Sequence, residues 1–278
     1  MTPHRIAAFS SGTTGGNPAG VVVADSLPSP AEMQAIARDI GYSETAFATP
    51  TGNAWTTRYF APEAEVPFCG HATIALGTVL GQLHGPGTYD LVLAQDRITV
   101  SAHPDGDLWA AELMSPPTRS EPLADRVLTQ ILNLFQLAPS DLDPRLPPTL
   151  AFAGATHALL ALKDRTKLAA MAYDFEKGAA LMTGHGLVTI SLLHITSDSA
   201  FAARNAFAFG GVVEDPATGA AAAALGGTLV DLGWPGLSQG GQITIHQGDD
   251  MGAPSILNVT VTGRPGDPVA VGGTARPI

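Results

Sequence analysis

The pattern of polar and apolar positions changes period many times along this chain. "RIAAFSS" (5–11) and "AGVVVAD" (19–25) read as two short strands, joined by "GTTGGNP", a turn by composition. "SPAEMQAIARDIG" takes up the helical period: Ser29 suits the N-cap, Pro30 the first helical position and Gly41 the stop. "SETAFATP" and "AWTTRYFAP" return to extended patterning on either side of "PTGN". "GHATIALGTVLGQLHG" (70–85) is apolar nearly all round, and such a helix must be buried on every side. "TYDLVLAQDRITVSAHPDGDLWAAELM" alternates and predicts three strands.

The segment 115–126, "SPPTRSEPLADR", is polar and Pro-rich and reads as a linker. The pattern then starts again. A short helix at "RVLTQILNLF" precedes strands near 150–163, a helix near 166–181, and strands at 186–195 and 201–209. A second apolar helix follows at "TGAAAAALGGTLVDLG", then strands at 242–247 and 256–262. Setting Gly70 on Gly219 also matches Ala72 with Ala221, Ala75 with Ala224, Leu76 with Leu225, Gly77 with Gly226 and Leu80 with Leu229. The reading is two similar α+β halves, 1–117 and 118–278, each wrapping a sheet around one buried helix. A site is expected in a cleft where both helix N-termini point.

Composition narrows the function classes. Of 278 residues, 45% are hydrophobic and 14% charged, so the chain can bury a sizeable core. The net charge is −11, and only 14 Lys and Arg are present. That excludes the basic stripe a nucleic-acid binder needs and gives no attraction to anionic membranes. The longest uncharged apolar stretch, 178–195, carries glycines, histidines and β-branched residues and reads as buried strands, not a membrane span. The single cysteine, Cys69, allows no internal disulfide, and the opening residues lack the apolar run of a signal peptide. A cytoplasmic location is expected.

Three places carry candidate chemistry. Glu44 is a lone acid in the apolar, β-prone "GYSETAFATP". "CGHAT" (69–73) stands at a strand-to-helix junction, where free backbone N–H groups favour an anion, Gly70 allows close approach and His71 can carry a proton. "GGVVEDPATGAAAAAL" (210–225) repeats this plan, with Asp215 ahead of Thr218 and Gly219. Each also suits a structural role: a solvated Glu44, His71 as a cap over a core Cys69, Asp215 as an N-cap carboxylate. The histidines show no metal-ligand spacing, and no Walker loop, GxGxxG or nucleophile elbow is present. No metal and no cofactor are expected, which leaves acid–base chemistry.

"AFSSGTTGGNPAGVV", "GYSETAF", "RYFAPEAEVPFCGHAT", "EDPATGAAA" and "QGDDMGAPS" together resemble the PhzF-like phenazine-biosynthesis isomerases, in that family's order, over residues 7–255. The resemblance implies a diaminopimelate-epimerase-like fold, each half a curled, mostly antiparallel half-barrel around a central helix. It also implies a cofactor-free isomerase, a homodimer and a small acidic substrate. Glu44 would be the proton-transferring residue, in an apolar wall with Tyr42 and Phe47 that raises its proton affinity. His71 and Asp215 would assist, with substrate contacts at Asn17, Gly70, Gly219 and Ala220. Relatives of this fold that racemise amino acids use two opposed cysteines. Cys69 matches the first, and the second place is read as Pro216, so a two-thiol mechanism is excluded. Two positions depart from the family pattern: Ala220 replaces a serine and Ala253 an arginine.

Overall fold

The computed structural model describes residues 2–94 and 96–278. The chain divides into two compact units: one runs to Met114 and includes Gly272–Ile278, and the other is Ser115–Val271.

In the first unit the chain order is β1 (His4–Ala8), β2 (Asn17–Val23), α1 (Pro30–Ile40), β3 (Thr45–Thr51), β4 (Ala54–Phe60), β5 (Glu65–Val66), α2 (Gly70–His84), β6 (Gly87–Val92), β7 (Arg97–Asp105) and β8 (Leu108–Met114). Hydrogen-bonded neighbours run β1–β2–β3–β4–β6–β7–β8. The C-terminal strand, Ala270–Pro277, pairs with both β8 and β1 and closes the ring. Inside the ring lies α2, packed against β1, β2, β3, β6, β7 and β8, with every residue from His71 to Gly81 buried. This is why its sequence has no polar face: a helix satisfies its own backbone, and the ring leaves no side open to water. Space is tight. A Cβ on Gly77 would fall 2.6 Å from Val100, and one on Gly81 would fall 2.5 Å from the Trp109 ring. Outside the ring, α1 buries Met33 and Ala37 against Val22, Phe47 and Phe60. Ser29 and Glu32 form its capping box, and Gly41 ends it at φ 72°.

The second unit runs β9 (Arg119–Pro122), α3 (Asp125–Leu134), β10 (Thr149–Phe152), β11 (Thr156–Ala161), α4 (Arg165–Ala169), α5 (Phe175–His185), β12 (Thr189–Ser197), β13 (Ala200–Ala206), β14 (Glu214–Asp215), α6 (Gly219–Asp231), β15 (Gly241–Gln247) and β16 (Ser255–Val261). Its sheet order is β9–β10–β11–β12–β13–β15–β16, antiparallel except at β11–β12 and β13–β15. α6 packs on β9, β10, β11 and β16. α3 and α5 cover the other face, burying Ile131, Leu132 and Met182 with Leu160 and Leu192. The C-terminal strand is β17 (Ala270–Pro277). The fold is α+β, each unit a curled and mostly antiparallel sheet around one buried helix, as the sequence implies.

Several segments differ from the sequence reading: the strand expected over 201–209 ends at Ala206, and of the stretch 178–195 read as buried strands, 178–185 is helical. Residues 119–122 are strand β9 within the segment read as a linker, with the Arg119 guanidinium 3.8 Å from the Phe152 ring centre on the neighbouring strand. The helix expected over 166–181 is two, because Asp164 and Asp174 each cap a helix of their own. α5 also continues to His185, where Gly186 (φ 64°) ends it, so the next strand starts at Thr189 and not at 186.

The two units share a register. Phe60 pairs with both Thr45 and Glu65, and Ala206 pairs with both Ile190 and Glu214. Matching Phe60 to Ala206 sets Arg58 on Arg204, Tyr59 on Asn205, Glu65 on Glu214, Val66 on Asp215 and Glu44 on Thr189. The helix N-caps correspond too, Cys69 in the first unit and Thr218 in the second. The counterpart of Cys69 is therefore Thr218 and not Pro216. A hydroxyl stands where a second thiol would be needed.

Candidate active site

Strand alternation decides which way Glu44 faces. Thr45 and Phe47 turn toward α1: Phe47 packs with Met33 and Ala37 and meets Phe60 edge to face. Ala46 turns the other way, since its partner Tyr59 reaches α2 through a 2.7 Å hydrogen bond to Thr73. Glu44 continues the Ala46 face by the period-two rule. Its carbonyl accepts from the Gly20 N–H at 3.1 Å, which ties its backbone to β2. The expected apolar wall of Tyr42 and Phe47 is corrected by this geometry. Phe47 lies on the opposite face, and the Tyr42 ring sits beneath the Arg5 guanidinium. The side chains that meet Glu44 come from the start of α2.

There, His71 Nε2 lies 3.4 Å from Glu44 Oε2 and 3.3 Å from Ser43 Oγ. His71 Nδ1 lies 3.4 Å from Cys69 Sγ. A carboxylate only accepts, so Nε2 carries a hydrogen toward Glu44, while Nδ1 faces the Cys69 thiol. The Glu44 side chain is 21% exposed and that of His71 9%, so the pair is largely withdrawn from water yet reachable at Glu44. The potential donor atoms of Glu44, Cys69 and His71 all fall within 4.8 Å of one another.

The N-cap of α2 is Cys69, which places no side-chain hydrogen bond on the helix end, and His71 is the second residue of the helix, not its cap. Gly70 is half-buried, and a Cβ there would meet nothing within 4 Å. The first-turn N–H groups therefore stand beside Glu44 with an open approach. Asn17 is buried at the start of β2. It shares the inward face of Ala19 and lies toward the same end of the ring as Glu44, since Gly20 pairs with Thr45 in parallel register. Deeper in the ring, burial pushes the Tyr59 phenol well above its usual range, so Tyr59 is a neutral donor.

Asp215, Gly219 and Ala220 belong to the second unit, half-buried around the start of α6. Asp215 is not the N-cap, a place taken by Thr218. Instead its Oδ2 accepts from the Thr218 hydroxyl at 2.6 Å. Beside it, Glu214 and Arg204 form a buried pair, with Arg204 Nε donating to Glu214 Oε1 at 3.0 Å. The sequence reading missed Ser43 and Gln247. Ser43 precedes Glu44 in the same motif. Gln247, fully buried, opens the "QGDDMGAPS" motif and donates to the Asp215 carbonyl at 2.7 Å. Ala253 supplies a carbonyl that accepts from Ser255 Oγ at 3.1 Å.

Comparison with known proteins agrees with this arrangement of motifs. The model of the phenazine biosynthesis-like protein family (PhzC-PhzF) matches residues 6–278. The Escherichia coli K12 protein named uncharacterized isomerase YddE is 33% identical, over 98% of this chain and 94% of its own. A Bacillus anthracis phenazine biosynthesis protein of the PhzF family superposes with a TM-score of 0.88 at 21% identity, covering 99% of this chain and 96% of the other. The Pseudomonas aeruginosa protein PA4716, described as a predicted epimerase, superposes with a TM-score of 0.83 at 25% identity, with the same coverage. With the match running from one end of the chain to the other, the protein belongs to the phenazine biosynthesis-like (PhzC-PhzF) family and is an isomerase.

Proposed function

We propose that the protein moves a proton between carbon atoms of a small amino or carboxy acid, with Glu44 as the base that takes it and the acid that returns it. The observation that carries this reading is the 3.4 Å contact of Glu44 with His71 at the open end of α2. Glu44 takes a C–H proton while the electron pair of that bond shifts into the neighbouring π system. The developing negative charge spreads to a substrate carboxylate or carbonyl held by the first N–H groups of α2. The neutral carboxylic acid then gives its proton to a different carbon, and the double bond has moved with no net change in composition. His71 holds a hydrogen toward one carboxylate oxygen and leaves the other for substrate. Asn17, Gly70, Asp215, Gly219 and Ala220 are assigned to hold polar groups of the substrate.

A second reading returns the proton to the opposite face of the same carbon, which is epimerisation. The similarity to PA4716, described as a predicted epimerase, favours keeping it. One experiment tests both. The protein is incubated in D2O with dihydro-hydroxyanthranilate, diaminopimelate, proline and related unsaturated amino acids, and carbon-bound deuterium is followed by NMR. Exchange that disappears in Glu44→Gln is expected, and the labelled carbon separates the two readings. Turnover in Glu44→Gln near that of the wild type would sink the assignment.

A further inference from the structure

Behind Asp215 the second unit carries a continuous string of buried polar side chains. His157 Nδ1 lies 2.7 Å from Thr189 Oγ1, and Thr189 Oγ1 donates to Asn205 Oδ1 at 3.4 Å. Asn205 Nδ2 donates to Gln247 Oε1 at 3.2 Å, and Gln247 Nε2 donates to Thr218 Oγ1 at 3.0 Å. Thr218 Oγ1 donates to Asp215 Oδ2 at 2.6 Å. His157, Thr189, Asn205 and Gln247 are at most 2% exposed.

The direction of the string follows from its chemistry. A hydroxyl has one hydrogen. Thr218 gives its hydrogen to the carboxylate and so accepts from Gln247. Thr189 gives its hydrogen to Asn205 and so accepts from His157. Every link donates toward Asp215, an alignment in which neighbouring hydrogen bonds strengthen one another. Asn205 Oδ1 also accepts from the Ser191 hydroxyl, and with the Thr189 hydrogen given to the same oxygen His157 is the Nδ1–H tautomer. Its Nε2, buried and without a hydrogen-bond partner, is then a bare acceptor and not a stranded donor.

Gln247 is the central link. Besides the string, its Oε1 accepts from the Thr218 N–H at 3.3 Å and its Nε2 donates to the Asp215 carbonyl at 2.7 Å. Both hydrogens and both lone-pair sites of the amide are in use. Next to it, Gly248 has φ +82°, and a Cβ there would come 2.9 Å from the Pro216 carbonyl oxygen. The turn thus holds the Asp215–Thr218 loop through the Gln247 side chain and packs its backbone closely against Pro216.

The first unit serves as an internal control. At the places of Thr189, Ser191, Asn205 and Asp215 it has Glu44, Ala46, Tyr59 and Val66. Where Val66 stands in place of Asp215, no such string is built among the described residues, and Tyr59 bonds directly to Thr73 of the helix. A buried polar string with no further role would be replaced by apolar packing at little loss.

We infer that Gln247 and Asn205 are positioning residues that, through Thr218, fix the orientation of the Asp215 carboxylate and the start of α6. Carboxamides do not pass protons on, so the string orients and polarises Asp215 and does not conduct a proton to it. This rests on the reading that Asp215 belongs to the substrate site.

The test is a double-mutant cycle read by carbon-proton exchange in D2O with the panel above. Gln247→Leu lowers the exchange rate about tenfold or more, as for a catalytic group displaced by a fraction of an ångström. In the Asp215→Asn background it lowers the rate no further. Thr218→Val, nearly isosteric, gives the same pattern if Gln247→Leu does not fold. An equal loss in both backgrounds, or none in the wild type, overturns the inference. Two measurements need no substrate. Imidazole 15N NMR should show His157 as the Nδ1–H tautomer, and amide hydrogen exchange at Thr218 should accelerate in Gln247→Leu while α6 keeps its protection. If no panel compound exchanges, the proton-transfer reading fails, and these two measurements decide the positioning role. An Nε2–H tautomer, or unchanged Thr218 protection in the variant, overturns it.

Discussion

Thr189 holds in the second unit the register position that Glu44 holds in the first: each stands one residue before the strand position that pairs with Phe60 or Ala206. At this register position the repeat supplies one carboxylate and one hydroxyl. Glu44→Asp should lower proton exchange about a hundredfold, because one methylene less withdraws the carboxylate by roughly 1 Å. Glu44→Gln should lower it further, since the amide cannot accept the proton. Exchange rates for the two variants check this ranking. Equal rates for Glu44→Asp and wild type would mean that another group moves the proton.

The same register repeats an ion pair in two environments. Arg58–Glu65 is partly open, with side chains 28% and 39% exposed, while Arg204–Glu214 is buried at 10% and 5%. Arg204 also donates to the Ala169 carbonyl at 2.7 Å. Removing one partner of a buried pair strands the other charge. Glu214→Gln should therefore destabilise by about 3 kcal/mol, and Glu65→Gln by less than about 1 kcal/mol. Urea unfolding of both variants measures the difference, and equal losses would refute the role given to burial.

The parts of the fold legible in the sequence are those whose burial is total. α2 and α6 stood out because a helix ringed by strands has no polar face. The candidate residues Glu44, His71 and Asp215 stood out through short motifs. What stayed hidden depends on contacts between distant residues. β9 lies in Pro-rich, polar sequence and is a strand because β10 pairs with it. The string behind Asp215 draws single polar residues from four strands, and nothing local marks His157, Asn205 or Gln247 as partners. The match of Cys69 with Thr218 is already implied by setting Gly70 on Gly219, and the reading of Pro216 departs from that alignment; the helix N-caps settle it.

Two glycine-to-alanine changes should have opposite signs. At Gly81 in α2, a Cβ would fall 2.5 Å from the Trp109 ring and 3.0 Å from Ala102 Cβ, with a closed ring leaving neither room to retreat. Overpacking there should destabilise by about 1–3 kcal/mol. At Gly184 in α5, a Cβ would meet nothing within 4 Å. Alanine there should stabilise by roughly 0.5–1 kcal/mol through helix propensity alone. Thermal melts of the two variants provide the check, and stabilisation by Gly81→Ala would contradict the packing described for α2.

His157 should make folding stability depend on pH. Complete burial lowers the imidazole from 6.5 to about 3. Between those values the unfolded chain binds a proton that the folded chain refuses, so stability rises with pH through this window and is lost as pH falls. From pH 7 to pH 5 this one group removes about 2 kcal/mol. His157→Leu, which keeps the volume but cannot titrate, should lack that component, although it loses the bond to Thr189 at every pH. Urea unfolding of both proteins at pH 7 and pH 5 isolates the effect, because the carboxylates contribute equally to each. If stability fell by the same amount in both, His157 would have to be protonated in the folded protein, and the assignment of its Nε2 as a bare acceptor would fail with it.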